Sequence, residues 1–261
     1  MPRQKRELMP QIVFRKNTAP IYLTIPLVDG CEFSLLENET RTNWTLSRYN
    51  EPLRLSERQL PFHVVELKRI AAESVGRRES DVFSFKKLAE GGFNRTFEVT
   101  MHDGLQVVAR LPYPITEPRH YTVASEVATM DFVRLFGLPV PRVFTYSATN
   151  ENPVGTEYMI MEKVSGNELG NLWYTMTEDQ RLKMVFQIVK LETLLFSIPL
   201  SGYGSVYYKR DLPPVVHQVD LEAPGMAGSF CIGPDVHYKW WHKERSTLSF
   251  NRGPCKLNQA L

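Results

Sequence analysis

VFSFKKLAEGGFNRTFEVTMHDGLQVVARL, residues 82–111, reads as three β-strands joined by two turns of different chemistry. Strands are expected at 82–88, 96–101 and 105–111. The second turn, His102-Asp103-Gly104, is a hairpin signal, because Asp-Gly tolerates the backbone angles a tight reversal needs. The first, Glu90-Gly91-Gly92-Phe93-Asn94, is different. Two successive glycines can be a plain turn, or a loop whose backbone comes close enough to a phosphate for its amides to donate to the oxygens. In the third strand, alternation puts Val108 and Arg110 on one face, so a cation ends an otherwise apolar strand.

Working outward, residues 122–136 carry an apolar helical stripe of Val123, Val127, Met130 and Val133, with Gly137 as the stop. Glu126 falls within that stripe. An inward carboxylate calls for a partner, and Arg110 can meet it through parallel N–H donors; a purely structural ion pair is the competing explanation. On the N-terminal side, Val64, Leu67, Ile70, Ala71 and Val75 ending at Gly76 predict a helix of about four turns. On the C-terminal side, Pro139 and Pro141 flank an extended piece to Tyr146. Residues 158–161 form a short buried strand, followed by the connector Glu162-Lys163-Val164-Ser165-Gly166.

Thr177 is placed to cap a long helix reaching Phe196. Its second half is apolar on nearly every side, which predicts burial all round. The about 65 residues that follow are punctuated by Gly and Pro and expected to be irregular, too few and too turn-rich to cover it. Either a partner chain covers the helix at 177–196 or the chain is a shortened product; the latter is favoured. Residues 1–48 read as an extension with one plausible strand at 21–27.

Composition narrows the classes. The 261 residues carry 31 Lys+Arg against 29 Asp+Glu, a net charge of +2, which offers no broad electrostatic footprint for nucleic acid or an anionic membrane. Tyr238-Lys239-Trp240-Trp241-His242-Lys243, with Arg245 and Arg252 nearby, sets stacking rings beside cations, but with so little net charge these aromatics are assigned to the interior instead of to a nucleic acid. Cys31, Cys231 and Cys255 are odd in number and far apart, against a disulfide framework or zinc ribbon. No apolar run reaches the roughly 18 residues a membrane span needs. The triplets beginning at Asn38, Asn43 and Asn94 match glycosylation acceptors, with no signal-peptide core before them. Arg3, Lys5, Arg6, Arg15 and Lys16 give the first 16 residues the charge of a presequence, although Pro2 and Pro10 interrupt any helix and a plain basic terminus explains them as well.

A glycine turn between strands, a hairpin ending in a cation, a helix with one inward Glu and a strand entering a linker follow the order of a protein-kinase-like small lobe. With 49–58 (YNEPLRLSER), 90–97 (EGGFNRTF), 124–130 (ASEVATM) and 230–234 (FCIGP), the chain resembles the fungal branch of the aminoglycoside-phosphotransferase family, of the altered-inheritance-of-mitochondria type. The resemblance covers residues 49 to the end. It implies an α+β, protein-kinase-like fold: an extension at 1–48, a complete small lobe at 49–161, then a hinge and an incomplete helical large lobe at 162–261.

The resemblance also implies roles. Gly91, Gly92, Phe93 and Asn94 would cover the phosphates of ATP, and Arg110 stands where the family has a phosphate-binding lysine. Glu126 would brace it, and the backbone of Glu162 and Val164 would hold adenine. A planar guanidinium does not reproduce a lysine point charge, so the phosphate geometry should differ. The family's chemistry needs an Asp in a His-x-Asp-x-x-x-x-Asn loop and a later magnesium-binding Asp. Neither occurs; His217-Gln218-Val219-Asp220 has the wrong offset, and the residue five further on is Gly225, not Asn. A nucleotide-binding chain without catalytic or Mg2+-holding residues is therefore expected, mitochondrial by resemblance with a cytoplasmic alternative. A non-catalytic interaction module is the competing expectation.

Overall fold

The structure is a computed structural model that describes Ser56 and residues 58–256. The expected extension at 1–48, its strand at 21–27 and Cys31 lie outside the described residues. Helix α1, Val64–Glu73, is shorter than expected. Before it, the His63 N–H donates to the Val154 carbonyl at 2.9 Å, which holds the chain extended after Pro61. After it, Gly76 takes φ +71° while the Gly76 and Arg77 N–H groups return to the carbonyls of Glu73 and Ala72, which ends the helix in a left-handed cap.

Strands β1 (Val82–Glu90), β2 (Asn94–Met101) and β3 (Gln106–Pro112) form an antiparallel meander. Gly104 sits at φ +85° in the β2–β3 turn, and the Asp103 carboxylate accepts from the Leu105 N–H at 3.0 Å, as the Asp-Gly pair predicted. β4 (Val143–Ser147) and β5 (Tyr158–Glu162) complete a five-stranded sheet in the order β1-β2-β3-β5-β4, every pair antiparallel.

Alternation then sorts the two faces. Phe97, Val99, Val107, Ala109, Leu111 and Ile160 bury themselves with Leu67, Ala71 and Ala72 of α1. The opposite face, carrying Arg110 and Met159, turns toward helix α2, Arg119–Leu135. This helix begins three residues earlier than its stripe suggested. Pro118 precedes it, and the Arg119 guanidinium pairs at 2.6 Å with the buried Glu157 carboxylate, anchoring the first turn. Gly137, at φ +90°, closes the other end.

Beyond a short helix α3 (Leu169–Trp173) comes α4, Glu178–Phe196, capped by Thr177 as expected, in a reciprocal box with Gln180. Its burial is not as expected. None of its residues is buried; Phe186 is 65% and Phe196 86% exposed, and only Leu194 and Leu195 pack against the core. The later residues are also more regular than their Gly/Pro punctuation implied. After β6 (Gly202–Tyr203), strands β7 (Ser205–Tyr208), β8 (Val219–Leu221) and β9 (Phe230–Gly233) form an antiparallel sheet ordered β7-β9-β8, and β10 (Cys255–Lys256) pairs with β6. Their apolar side chains spend themselves on α2 instead of α4: Tyr207, Phe230 and Ile232 share one cluster with Val123, Val127 and Phe132.

Candidate nucleotide site

Strand β3 sets the axis of the site. Near its C-terminal end, Pro112 pairs with Asn94 directly after the glycine turn, and near its other end Val107 pairs with Glu162 at the start of the connector. Arg110 lies between, opposite Thr96 on one side and Met159 on the other. At about 3.3 Å per residue, turn and connector are separated by roughly 17 Å of strand, with the cation along the way.

Arg110 donates from Nη1 to Oε1 of Glu126, and the two side chains are 31% and 15% exposed. The pairing inferred from strand alternation and a helical stripe is therefore present. Half-buried and between turn and connector, the guanidinium keeps further N–H groups that can donate to an anion.

The glycine turn is closed by the Gly91 N–H donating to the Asn94 carbonyl at 3.0 Å. Phe93 is held by its carbonyl, which accepts from the Tyr113 N–H and the Thr116 hydroxyl, each at 2.8 Å. Neither Gly91 nor Gly92 has a positive φ, and a Cβ there would meet nothing nearer than Asn94 O at 3.9 Å for Gly91 and nothing within 4 Å for Gly92. Among the described residues, therefore, no packing requires glycine at either position. Close approach by something outside the chain would, and an open amide-lined turn suits phosphate oxygens. At its base, Glu90 accepts from Lys87, Arg95 and Tyr113. Burial acts to raise the Glu90 carboxyl, but these three donors outweigh it and hold the group below its ordinary value. Sequence inspection missed this network, since the Glu90–Tyr113 contact spans 23 positions.

The connector is only partly available. The Glu162 N–H donates to the Arg142 carbonyl at 2.8 Å, and the Glu162 carboxylate accepts from the Arg142 N–H at 3.1 Å. The Glu162 N–H is thus not available to a base, a correction to the expectation that the backbone of this residue is free to hold one. Among the described residues no hydrogen bond engages the main chain of Val164. Lys163 is tied back to Glu98 of β2 at 2.9 Å.

Other sequence candidates prove structural. Asp220 pairs with Lys209 at 2.9 Å on β8, and its carbonyl accepts from the Ser201 hydroxyl. Residues 230–234 form a buried strand whose Gly233 is needed for packing: a Cβ there would come within 2.7 Å of Leu212 and 2.8 Å of Tyr207. Among the described residues no group of three or more His, Cys, Asp or Glu side chains is placed to hold a metal ion. No described helix is long and apolar enough to cross a membrane.

A mixed α+β architecture, with a five-stranded sheet backed by a helix that pairs Glu to a β3 cation, is consistent with a kinase-like bilobal fold. Comparison of sequences agrees at that level. The chain is 46% identical over 173 residues to a subtelomeric hrmA-associated cluster protein of Aspergillus fumigatus, covering 66% of this chain and 33% of the relative. It is 29% identical over 231 residues to altered inheritance of mitochondria protein 9, mitochondrial, of Debaryomyces hansenii (82% and 36%), and 30% identical over 201 residues to the protein of that name in Zygosaccharomyces rouxii (69% and 32%). The chain thus spans about a third of the length of these curated relatives. No protein-family model matches it. The homology supports a distant kinase-like link without placing the chain in one branch.

Proposed function

We propose that this chain binds the polyphosphate of a nucleotide such as ATP between the glycine turn and Arg110, with the base against the Glu162–Val164 connector, and that it does so without carrying out phosphoryl transfer itself. The observation that carries this is the Arg110–Glu126 pair, set on β3 between a glycine turn that no described residue requires and a connector whose Val164 main chain bonds to no described residue. Glu126 holds the guanidinium in one orientation, the Gly92 and Phe93 amides supply donors, since the Gly91 N–H is spent on Asn94, and the Glu162–Val164 main chain supplies an edge for a purine. The sequence contains no His-x-Asp-x-x-x-x-Asn segment to orient a hydroxyl acceptor. The relatives named as mitochondrial favour that compartment, which organelle fractionation tests directly.

Titration with ATP, with and without Mg2+, by thermal shift and calorimetry provides the test. Binding should be saturable and at least about tenfold weaker in Arg110→Ala, the loss of one charge-assisted contact. The double variant Gly91→Ala/Gly92→Ala should keep the melting temperature, since both Cβ positions are open, yet bind more weakly. Equal affinities in all three proteins would count against the proposal.

The exposed apolar side chains of α4 favour a second reading, an interaction module bound through residues 177–196. It requires ATP to have no effect while a stoichiometric partner co-purifies, and that partner to be lost on Phe186→Lys.

A further inference from the structure

We propose that Tyr238, carried by the C-terminal segment, is a positioning residue that braces the glycine turn in its ligand-ready shape. This rests on the nucleotide reading above. The Tyr238 ring meets the Phe93 ring edge-on, centroids 6.1 Å apart. Both side chains are about half-exposed, so each shields a face the other would otherwise leave in water.

The segment behind Tyr238 is built to hold that contact. The Trp241 ring lies 5.8 Å from Tyr121 of α2, on the helix that bears Glu126. The Trp240 and Trp241 indole N–H groups both donate to Asp235, at 2.8 Å, one to its carboxylate and one to its carbonyl. The Arg252 guanidinium lies 4.1 Å from the ring centres of both Trp241 and Phe250, and donates to the carbonyls of Arg245 and Leu248 at 2.6 and 2.9 Å. A guanidinium stacked on two rings and bonded to two carbonyls acts as a buckle, so residues 238–252 form a strap that crosses from the glycine turn to α2.

The open Cβ positions decide the sign of the effect. A strap lying over the glycine backbone would crowd Gly91 and Gly92, but among the described residues, their chain neighbours aside, the nearest atom to either added Cβ is 3.9 Å away and belongs to Asn94. The strap therefore grips the turn by the Phe93 side chain and leaves the Cβ side of both glycines open: it braces the turn without packing onto the glycines. Paired glycines lose more conformational freedom on ordering than other residues, and fixing Phe93 in advance removes part of that loss from the binding step.

The test uses the full chain. Hydrogen exchange of the Gly91–Asn94 amides is followed without nucleotide, and ATP affinity is measured by calorimetry. Tyr238→Ala should speed exchange at these amides and weaken ATP binding about threefold to tenfold, and Tyr238→Phe, which keeps the ring but not its hydroxyl bond to His242, should restore both. Phe93→Ala removes the same contact while leaving the strap intact, and serves if Tyr238→Ala fails to fold. Unchanged exchange in the alanine variants overturns the brace. Tighter ATP binding in Tyr238→Ala also overturns it, because it would make the strap a lid. If no variant and not the parent binds ATP, the nucleotide reading falls, and the exchange data still decide the brace.

Discussion

Glu90 shows how much of the site's support depends on single charges. Because its carboxyl is held below the ordinary 4.5 in the folded chain, its three donors stabilise the fold above about pH 4.5, and that contribution disappears as the pH falls through the depressed folded value. Urea unfolding of the parent and of Glu90→Gln should therefore differ at neutral pH and converge in acid; a constant gap down to about pH 3 would contradict the assignment. Arg110 and Glu126 were readable in advance because each broke a local period, a cation on a strand face and a carboxylate in an apolar stripe. Glu90 was not. It sits at the end of β1 where no period constrains it, and its partner Tyr113 is brought to it only by β2 and β3 pairing.

Individual strands and helices were legible in proportion to their length and their end signals. The Thr177 cap, the Gly76 and Gly137 stops and the Asp103-Gly104 hairpin carry their mechanism in neighbouring residues, and the elements they bound exist as expected, although α1 is shorter and α2 starts earlier. Strands β7, β8 and β9 were missed because each has only three or four residues, and β9 is buried along its whole length, so it shows no alternation. What holds that small sheet together can be tested at Gly233, where β9 passes Tyr207 and Leu212. Gly233→Ala should lower stability by about 1–3 kcal/mol through overpacking, measured by chemical denaturation with circular dichroism. A loss under about 0.5 kcal/mol would show that the neighbours yield freely.

The chain as a whole divides its apolar side chains unequally. The five-stranded sheet receives α1 on one face and α2 near the other, and α2 is covered again by the three-stranded sheet. Little remains for α4. Val185→Lys and Phe186→Lys, both on exposed positions, should change the melting free energy by no more than about 0.5 kcal/mol and reduce self-association in sedimentation. A loss of more than about 2 kcal/mol would mean that this face is buried in the protein as it exists in solution. The apolar composition of α4 was plain from the start, but composition cannot say against what a helix packs. Periodicity, caps and turn residues act within a few positions of one another, so the amino-acid sequence by itself determined the meander, the two stops and the faces that carry Arg110 and Glu126. Only the tertiary structure decided that the C-terminal strands would close on α2, that the connector N–H of Glu162 would be taken by Arg142, and that Tyr238 would reach Phe93. Each of these joins residues at least 20 positions apart, and such partners are chosen by competition among all available surfaces, which no local pattern records.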